Sequence, residues 1–210
     1  MASQVEIVNN ALVEIGEQTI TSMTQGTKAA RVANRVWDSV RRDMLVRYRW
    51  NFAKGRASLA ADASAPEFGY QRKFPVPEDF LSLIGVYDSA EDLRNYTATT
   101  HPYNLEAGHV LSDETVLYIT YIKNITDTAQ FDPAFENALV YKLALRLAPD
   151  LTGGSERIKQ LSELFGDAIR TAKFSNAIQN SPEVIQASTW VDARHMDSRG
   201  PFRAGPIAGY

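Results

Sequence analysis

The stretch that decides the fold runs from residue 27 to residue 48 and reads TKAARVANRVWDSVRRDMLVRY. Its apolar residues recur at spacings of three and four, which is the repeat of one face of an α-helix. This pattern predicts one long amphipathic helix with arginines mostly on its other faces. The apolar stripe comprises Ala29, Ala33, Val36, Trp37, Val40, Met44, Leu45 and Tyr48, and the arginines placed elsewhere include Arg31, Arg35, Arg41 and Arg42.

Three more helices are predicted around this one. Residues 3–16 begin with Ser3 and Glu6 at the spacing of a capping box, and Gly16 can end the helix in the left-handed conformation. A third helix starts at Asp132 as N-cap, with Pro133 in the first position; its apolar stripe continues to Pro149, and residues 151–154 are expected to break it. A fourth is expected from its cap, Ser155, to about residue 180.

The middle of the chain has a strand-like pattern instead. Runs at 50–53, 80–87 and 116–122 are rich in aromatic and β-branched residues, and 107–109 read as a tight hairpin turn. The fold class predicted is α+β: a four-helix bundle with an inserted small, mostly antiparallel β-sheet and an extended C-terminal tail. The expected domains are a bundle of residues 1–49 and 131–180, a β-rich subdomain of 50–130, and a tail of 181–210 that contains prolines and glycines without periodicity.

Composition narrows the classes of protein. The formal net charge of -3 argues against a chain that is basic throughout, and the absence of cysteine excludes disulfides and thiolate metal sites. The N-terminus lacks the pattern of a signal peptide, and no apolar run approaches the ~20 residues of a membrane helix. We therefore expect a protein that folds in a reducing cytoplasm and has no membrane partner.

Several segments, in order, resemble the head-to-tail adaptors of short-tailed bacteriophages, the tail tubular protein A family. They are VEIVNNALVEIGE at 5–17, AAR at 29–31, VWDSVRR at 36–42, RWNFA at 49–53 and PEDFL at 77–81, while the last two helices match in pattern only. The resemblance implies a structural virion protein at the head–tail junction, synthesised and assembled in the host cytoplasm. It implies a homo-oligomeric ring, a dodecamer, that binds the portal protein and the tail nozzle (tail tubular protein B), with tail fibres as further partners and genomic DNA passing through its channel.

A basic segment between residues 28 and 56 is the main charge feature. It holds nine lysines and arginines against two aspartates, a net charge of +7. Three interpretations stay open: a DNA-facing surface, an interface with acidic groups of the next subunit, and a solvated helix face. The interface candidates are Arg41, Arg42, Arg47, Arg49, Trp190, Phe202 and Tyr210.

No pattern points to catalysis. The three histidines, at 101, 109 and 195, fit no metal-ligand spacing, and Gly153-Gly154-Ser155 lacks the lysine and glycine spacing of a phosphate loop. The sequence therefore predicts no enzyme, no cofactor and no metal. The alternative to the ring connector is a sequence-independent DNA-binding accessory protein that uses the basic segment.

Overall fold

The computed structural model describes residues 2–87, 89, 102–152 and 154–179. Its fold is α+β, as predicted, and the tail expected at 181–210 lies outside the described residues. The elements are α1 (Gln4–Glu14), α2 (Lys28–Val46), β1 (Lys54–Ala60), β2 (Arg72–Pro75), β3 (Phe80–Tyr87), β4 (Asn104–Glu106), β5 (His109–Ser112), β6 (Val116–Lys123), α3 (Pro133–Leu151) and α4 (Ser155–Ile178).

The ends of α1 form as the sequence predicts. The backbone N–H of Glu6 donates to the Ser3 hydroxyl, and the Ser3 N–H donates to the Glu6 carboxylate, which completes the capping box. At the other end Gly16 has a φ of +77°, and the N–H of Glu17 donates to the Leu12 carbonyl. This Schellman turn satisfies carbonyls that the end of a helix would leave unpaired.

The boundaries of α3 and α4 lie close to the predicted ones. Asp132 does cap α3, since its side chain accepts from the N–H of Ala134. The helix ends at Leu151, where the break was expected, and Pro149 lies inside its last turn. Gly154 rather than Ser155 occupies the N-cap of α4.

Helix α3 lies at the centre of the helical part and packs against α1, α2 and α4. The buried faces of all four helices share one hydrophobic cluster, which also includes Trp50, Ile122 and Ile125 from the connections to the strands. Within the unit of residues up to Gln179, the division into a bundle and a subdomain at 49/50 and 130/131 stays a prediction.

The strands form two sheets rather than the single one expected. Each described sheet is three-stranded and antiparallel, in the orders β1-β6-β3 and β2-β5-β4. The predicted hairpin is present between β4 and β5, where Ala107 and Gly108 both have positive φ values. A second, smaller hydrophobic cluster contains residues of both sheets, among them Leu59, Phe74, Val110, Leu117 and Ile119.

The run Trp50–Ala53 is not the strand that its aromatic residues suggested. Residues Asn51–Ala53 form a 3-10 turn, and the strand begins only at Lys54. The cause is tertiary: the Trp50 indole is buried, and its Nε1–H donates to the Met44 carbonyl at 2.8 Å. Packing of this ring under the end of α2 overrides its strand preference.

Candidate interaction surfaces

Four cations line one exposed face of α2. Lys28, Arg31, Arg35 and Arg42 are separated by three, four and seven residues, the spacing that brings side chains to the same side of a helix. At 1.5 Å per residue this cationic face of α2 is about 21 Å long. Among the described residues, the structure records a carboxylate partner for only one of the four: Arg35 lies 2.7 Å from Asp150.

Arg41 does not belong to this surface, and its prediction as an interface residue needs correction. Only 1% of its side chain is exposed. Its guanidinium donates to Asn124 Oδ1 at 2.8 Å and to the Ile125 carbonyl at 2.5 Å, and it contacts Asp38 at 3.2 Å. The side chain ties α2 to the segment that follows β6, which is a structural role within the subunit.

The Arg47 side chain, a second interface candidate, contacts other residues of the helical part. It pairs with Asp43, which also lies 3.4 Å from the Lys142 ammonium, and both cations lie over the Phe165 ring. Partial burial acts to raise the pKa of Asp43, but the hydrogen bond and charge of Arg47, with Lys142, outweigh it and lower that pKa below its ordinary value. This cluster connects α2, α3 and α4.

The Arg49 backbone is held by a hydrogen bond from α4, while the Arg49 side chain is exposed. The Arg49 carbonyl accepts from Asn176 Nδ2 at 3.2 Å. The next residues are held in the same way: the Asn51 N–H donates to Asn176 Oδ1, and Asn51 Nδ2 donates to the Asn176 carbonyl, both at 2.7 Å. In the described part of the chain no carboxylate pairs with the Arg49 guanidinium.

The exposed Arg49 side chain lines a cleft between the end of α2 and strand β3. The cleft has a volume of about 380 Å³. Its lining is apolar on the strand side and cationic on the helix side; we call it the Arg49 cleft. It is formed by Val46, Arg47, Tyr48, Arg49, Ser82, Leu83, Ile84 and Ile122.

Large apolar side chains are exposed at separate places. Phe68, 86% exposed, lies in the loop of residues 61–71 between β1 and β2, and Phe174 and Ile178, 69% and 66% exposed, lie one turn apart on α4. Contiguous apolar surface, such as that of Phe174 with Ile178, is more typical of protein-binding sites than a single exposed side chain. The signal for this loop in the sequence is a phenylalanine among turn residues, which helix and strand periodicity do not detect.

Three interface candidates, Trp190, Phe202 and Tyr210, lie outside the described residues, as do His101 and His195. His109 lies 4.0 Å from Asp62, beside Lys73. The described part of the chain contains no cluster of three or more metal-ligating side chains. Nor does any helix within the described ranges have both the length and the apolarity needed to cross a membrane.

In comparisons with known proteins, no family model and no curated protein matches the chain.

Proposed function

We propose that this chain is the subunit of a ring connector between the head and the tail of a short-tailed bacteriophage. Copies of it would associate head to tail beneath the portal protein, with the tail nozzle below and the genome passing through the centre. The site of action is the head–tail junction of the virion. Binding of tail fibres is a further part of this proposal.

The observation that carries the proposal is the distribution of the interaction surfaces. The cationic face of α2, the exposed pair Phe174 and Ile178 on α4, and Phe68 in its loop occupy three different elements of one subunit. A head-to-tail ring requires different, complementary surfaces on each copy, whereas a two-fold dimer uses the same surface twice. Separate cationic and apolar surfaces suit the first arrangement.

The residues that carry the family resemblance support the proposal in a second way. The Ile-Gly-Glu turn at 15–17 forms the C-terminal Schellman turn of α1. The Arg-Trp-Asn-Phe segment at 49–52 forms the turn that Asn176 fixes to α4. These segments therefore have structural roles in this fold, as is expected where a family shares an architecture.

The test is assembly of the purified full chain, alone and with its portal protein, by light scattering and negative-stain electron microscopy. We expect ring-shaped particles, or a monomer that forms rings when portal is added. The double variant Arg31→Glu/Arg42→Glu should reduce assembly, while Arg146→Glu/Lys159→Glu, two exposed cations on α3 and α4, serves as the matched control. A wild-type chain that remains monomeric with portal present would overturn the proposal.

A DNA-binding accessory protein is the second candidate, and the cationic face of α2 is the observation that favours it. Its four cations span about 21 Å, so they could neutralise three or four phosphates. Binding should then weaken with salt with a logarithmic slope of about -3 to -4. Tight, salt-sensitive DNA binding by a chain that ignores portal would favour this candidate over the connector.

A further inference from the structure

Phe68 projects from a loop whose two ends are held in place. The Asp62 N–H donates to the Lys73 carbonyl at 2.8 Å, and the Asp62 carboxylate lies 3.6 Å from the Lys73 ammonium. At the other end, the Gln71 N–H donates to Asp113 Oδ1 at 2.8 Å. The base is therefore fixed while the Phe68 ring is 86% exposed. We call residues 61–71 the Phe68 loop.

The chemistry of the Phe68 loop matches that of the Arg49 cleft. The loop presents an aromatic ring directly after the exposed carboxylate of Glu67. The cleft offers the apolar side chains of Val46 and Ile84 beside the Arg49 guanidinium. An aromatic anchor with an adjacent charge pair is a recurrent arrangement at the centre of protein interfaces.

The size and rigidity of the cleft also suit this occupant. Its volume of about 380 Å³ lies within the ~300–1,000 Å³ of typical binding clefts and can hold one phenyl ring with its neighbours. The hydrogen bonds of Asn176 to the Arg49 carbonyl and the Asn51 N–H hold the turn at one wall. A wall fixed in this way needs little ordering when a partner binds, which favours affinity.

We propose that the Phe68 loop of one copy docks into the Arg49 cleft of a second copy, with Phe68 against Val46 and Ile84 and with Glu67 paired to Arg49. The loop lies at the β1–β2 connection and the cleft at the end of α2, so the contact joins two different surfaces and leaves a free loop and a free cleft on each pair. A single contact of this kind between two copies is head to tail and continues until it closes into a ring or grows as a filament. Two reciprocal contacts would instead close a two-fold dimer, and association that stops at two copies would contradict the ring contact. It rests on the proposed ring function and names one contact of that ring.

The first experiment measures self-association of the full chain by sedimentation velocity over a concentration series. Phe68→Ser, Glu67→Arg and Arg49→Glu should each weaken association by ~10-fold or more, as expected for a central anchor or its charge partner. The double variant Glu67→Arg/Arg49→Glu should restore association to within ~3-fold of wild type, because the charge pair is re-formed with its signs exchanged. Tyr103→Ser, which removes another exposed aromatic ring that belongs to none of the proposed interaction surfaces, is the control for general loss of apolar surface.

A second experiment uses the absence of cysteine from the sequence. The variant Glu67→Cys/Arg49→Cys, treated with a short bis-maleimide, should form a ladder of cross-linked oligomers, because each copy contributes one thiol at each end of the contact. A bifunctional reagent is used because the Cα atoms of an ion-paired Glu and Arg lie farther apart than the ~7 Å that a disulfide can span. Glu67→Cys alone and Arg49→Cys alone should form no ladder. The matched control is the pair Glu163→Cys/Arg49→Cys, which places the first thiol on α4 instead of in the Phe68 loop.

The outcomes separate this inference from the proposed function. If wild type forms rings with portal but the loop and cleft variants assemble equally well, or the charge exchange restores nothing, the docking is overturned while the connector stands. If wild type remains monomeric at every concentration and with portal, both are overturned. Far-ultraviolet circular dichroism of each variant verifies folding, which should be retained because Glu67, Phe68 and Arg49 are all exposed.

Discussion

The helical and the strand-rich parts of this protein bury their apolar residues in different ways. The helices share one large cluster around α3, in which aromatic rings of Trp50, Phe52, Phe131 and Phe135 contact one another. The two sheets enclose a much smaller cluster, around residues such as Phe74 and Ile119. The helices therefore supply most of the buried apolar residues, whereas the sheets carry the Phe68 loop and one wall of the Arg49 cleft.

A chain of polar contacts joins the two parts. Arg41 donates to Asn124, whose backbone N–H donates to the Asp79 carbonyl at 2.6 Å. The Asp79 carboxylate accepts from the Tyr121 hydroxyl at 2.9 Å, and burial together with this bond raises the pKa of Tyr121 to about 12. The position of the strands on the helices therefore depends on groups that lie at the boundary between the two parts.

The largest effects are expected from substitutions that remove one buried ring from each hydrophobic cluster: Phe135→Ala in the helical cluster and Phe74→Ala in the strand cluster. Both side chains are fully buried. Phe135 contacts three other rings, so we expect a loss of about 4 kcal/mol, against about 3 kcal/mol for Phe74, within the usual cost of such cavities. Urea denaturation measures both, and a larger loss at Phe74 would reverse our ranking of the two clusters.

Arg41→Ala tests the link between the two parts. Removing the guanidinium leaves the Asn124 side chain and the Ile125 carbonyl without their donor in a buried place, so we expect a loss of about 3 kcal/mol. Its neighbour Arg42 is exposed, and Arg42→Ala should change the free energy of unfolding by no more than ~0.5 kcal/mol. Equal effects of the two substitutions in urea denaturation would show that Arg41 does not act as this link.

Asn176→Ala tests how the turn after α2 is fixed to α4. The buried amide accepts from the Asn51 N–H and donates to the Arg49 carbonyl, and loss of both bonds should cost about 2 kcal/mol. Thermal unfolding measures this, with the exposed Asn137→Ala on α3 as control. A stability equal to that of wild type would mean that the two hydrogen bonds of the Asn176 side chain do not stabilise the turn.

Asp43→Asn should have the smallest effect, because its ion pairs with Arg47 and Lys142 are partly exposed. We expect a loss of about 0.5 kcal/mol at neutral pH. Since the pKa of Asp43 is lowered on folding, its contribution is complete above the ordinary value of 3.8 and disappears as the pH falls through the lower folded value.

Stability measured as a function of pH should therefore show wild type and Asp43→Asn converging in acid. A difference between them that persists unchanged in acid would exclude this ionisation as its source. Asp167→Asn, whose pair with Arg170 is more exposed, is the matched control.

Helix ends and tight turns could be predicted from the sequence alone, because they depend on residues that are neighbours in the chain. Ser3 and Glu6, Gly16, Asp132 and the turn at Ala107-Gly108 act through hydrogen bonds and backbone angles within a few residues, so their patterns were sufficient to predict helix ends and a hairpin. The periodicity of α2 likewise predicted its buried face, because every third or fourth residue of a helix meets the same neighbours.

Only the tertiary structure decided which arginine is buried, where Trp50 packs and how the strands divide into two sheets. Arg41 and Arg42 are identical in type and adjacent in the chain, yet the Ile125 carbonyl more than 80 residues away meets only the first of them. Asn176 lies 125 residues from its partner Asn51, and Phe74 pairs with Val110 on a strand that is not its neighbour in the chain. Such contacts depend on the packing of the whole chain, and no local pattern of residues encodes them.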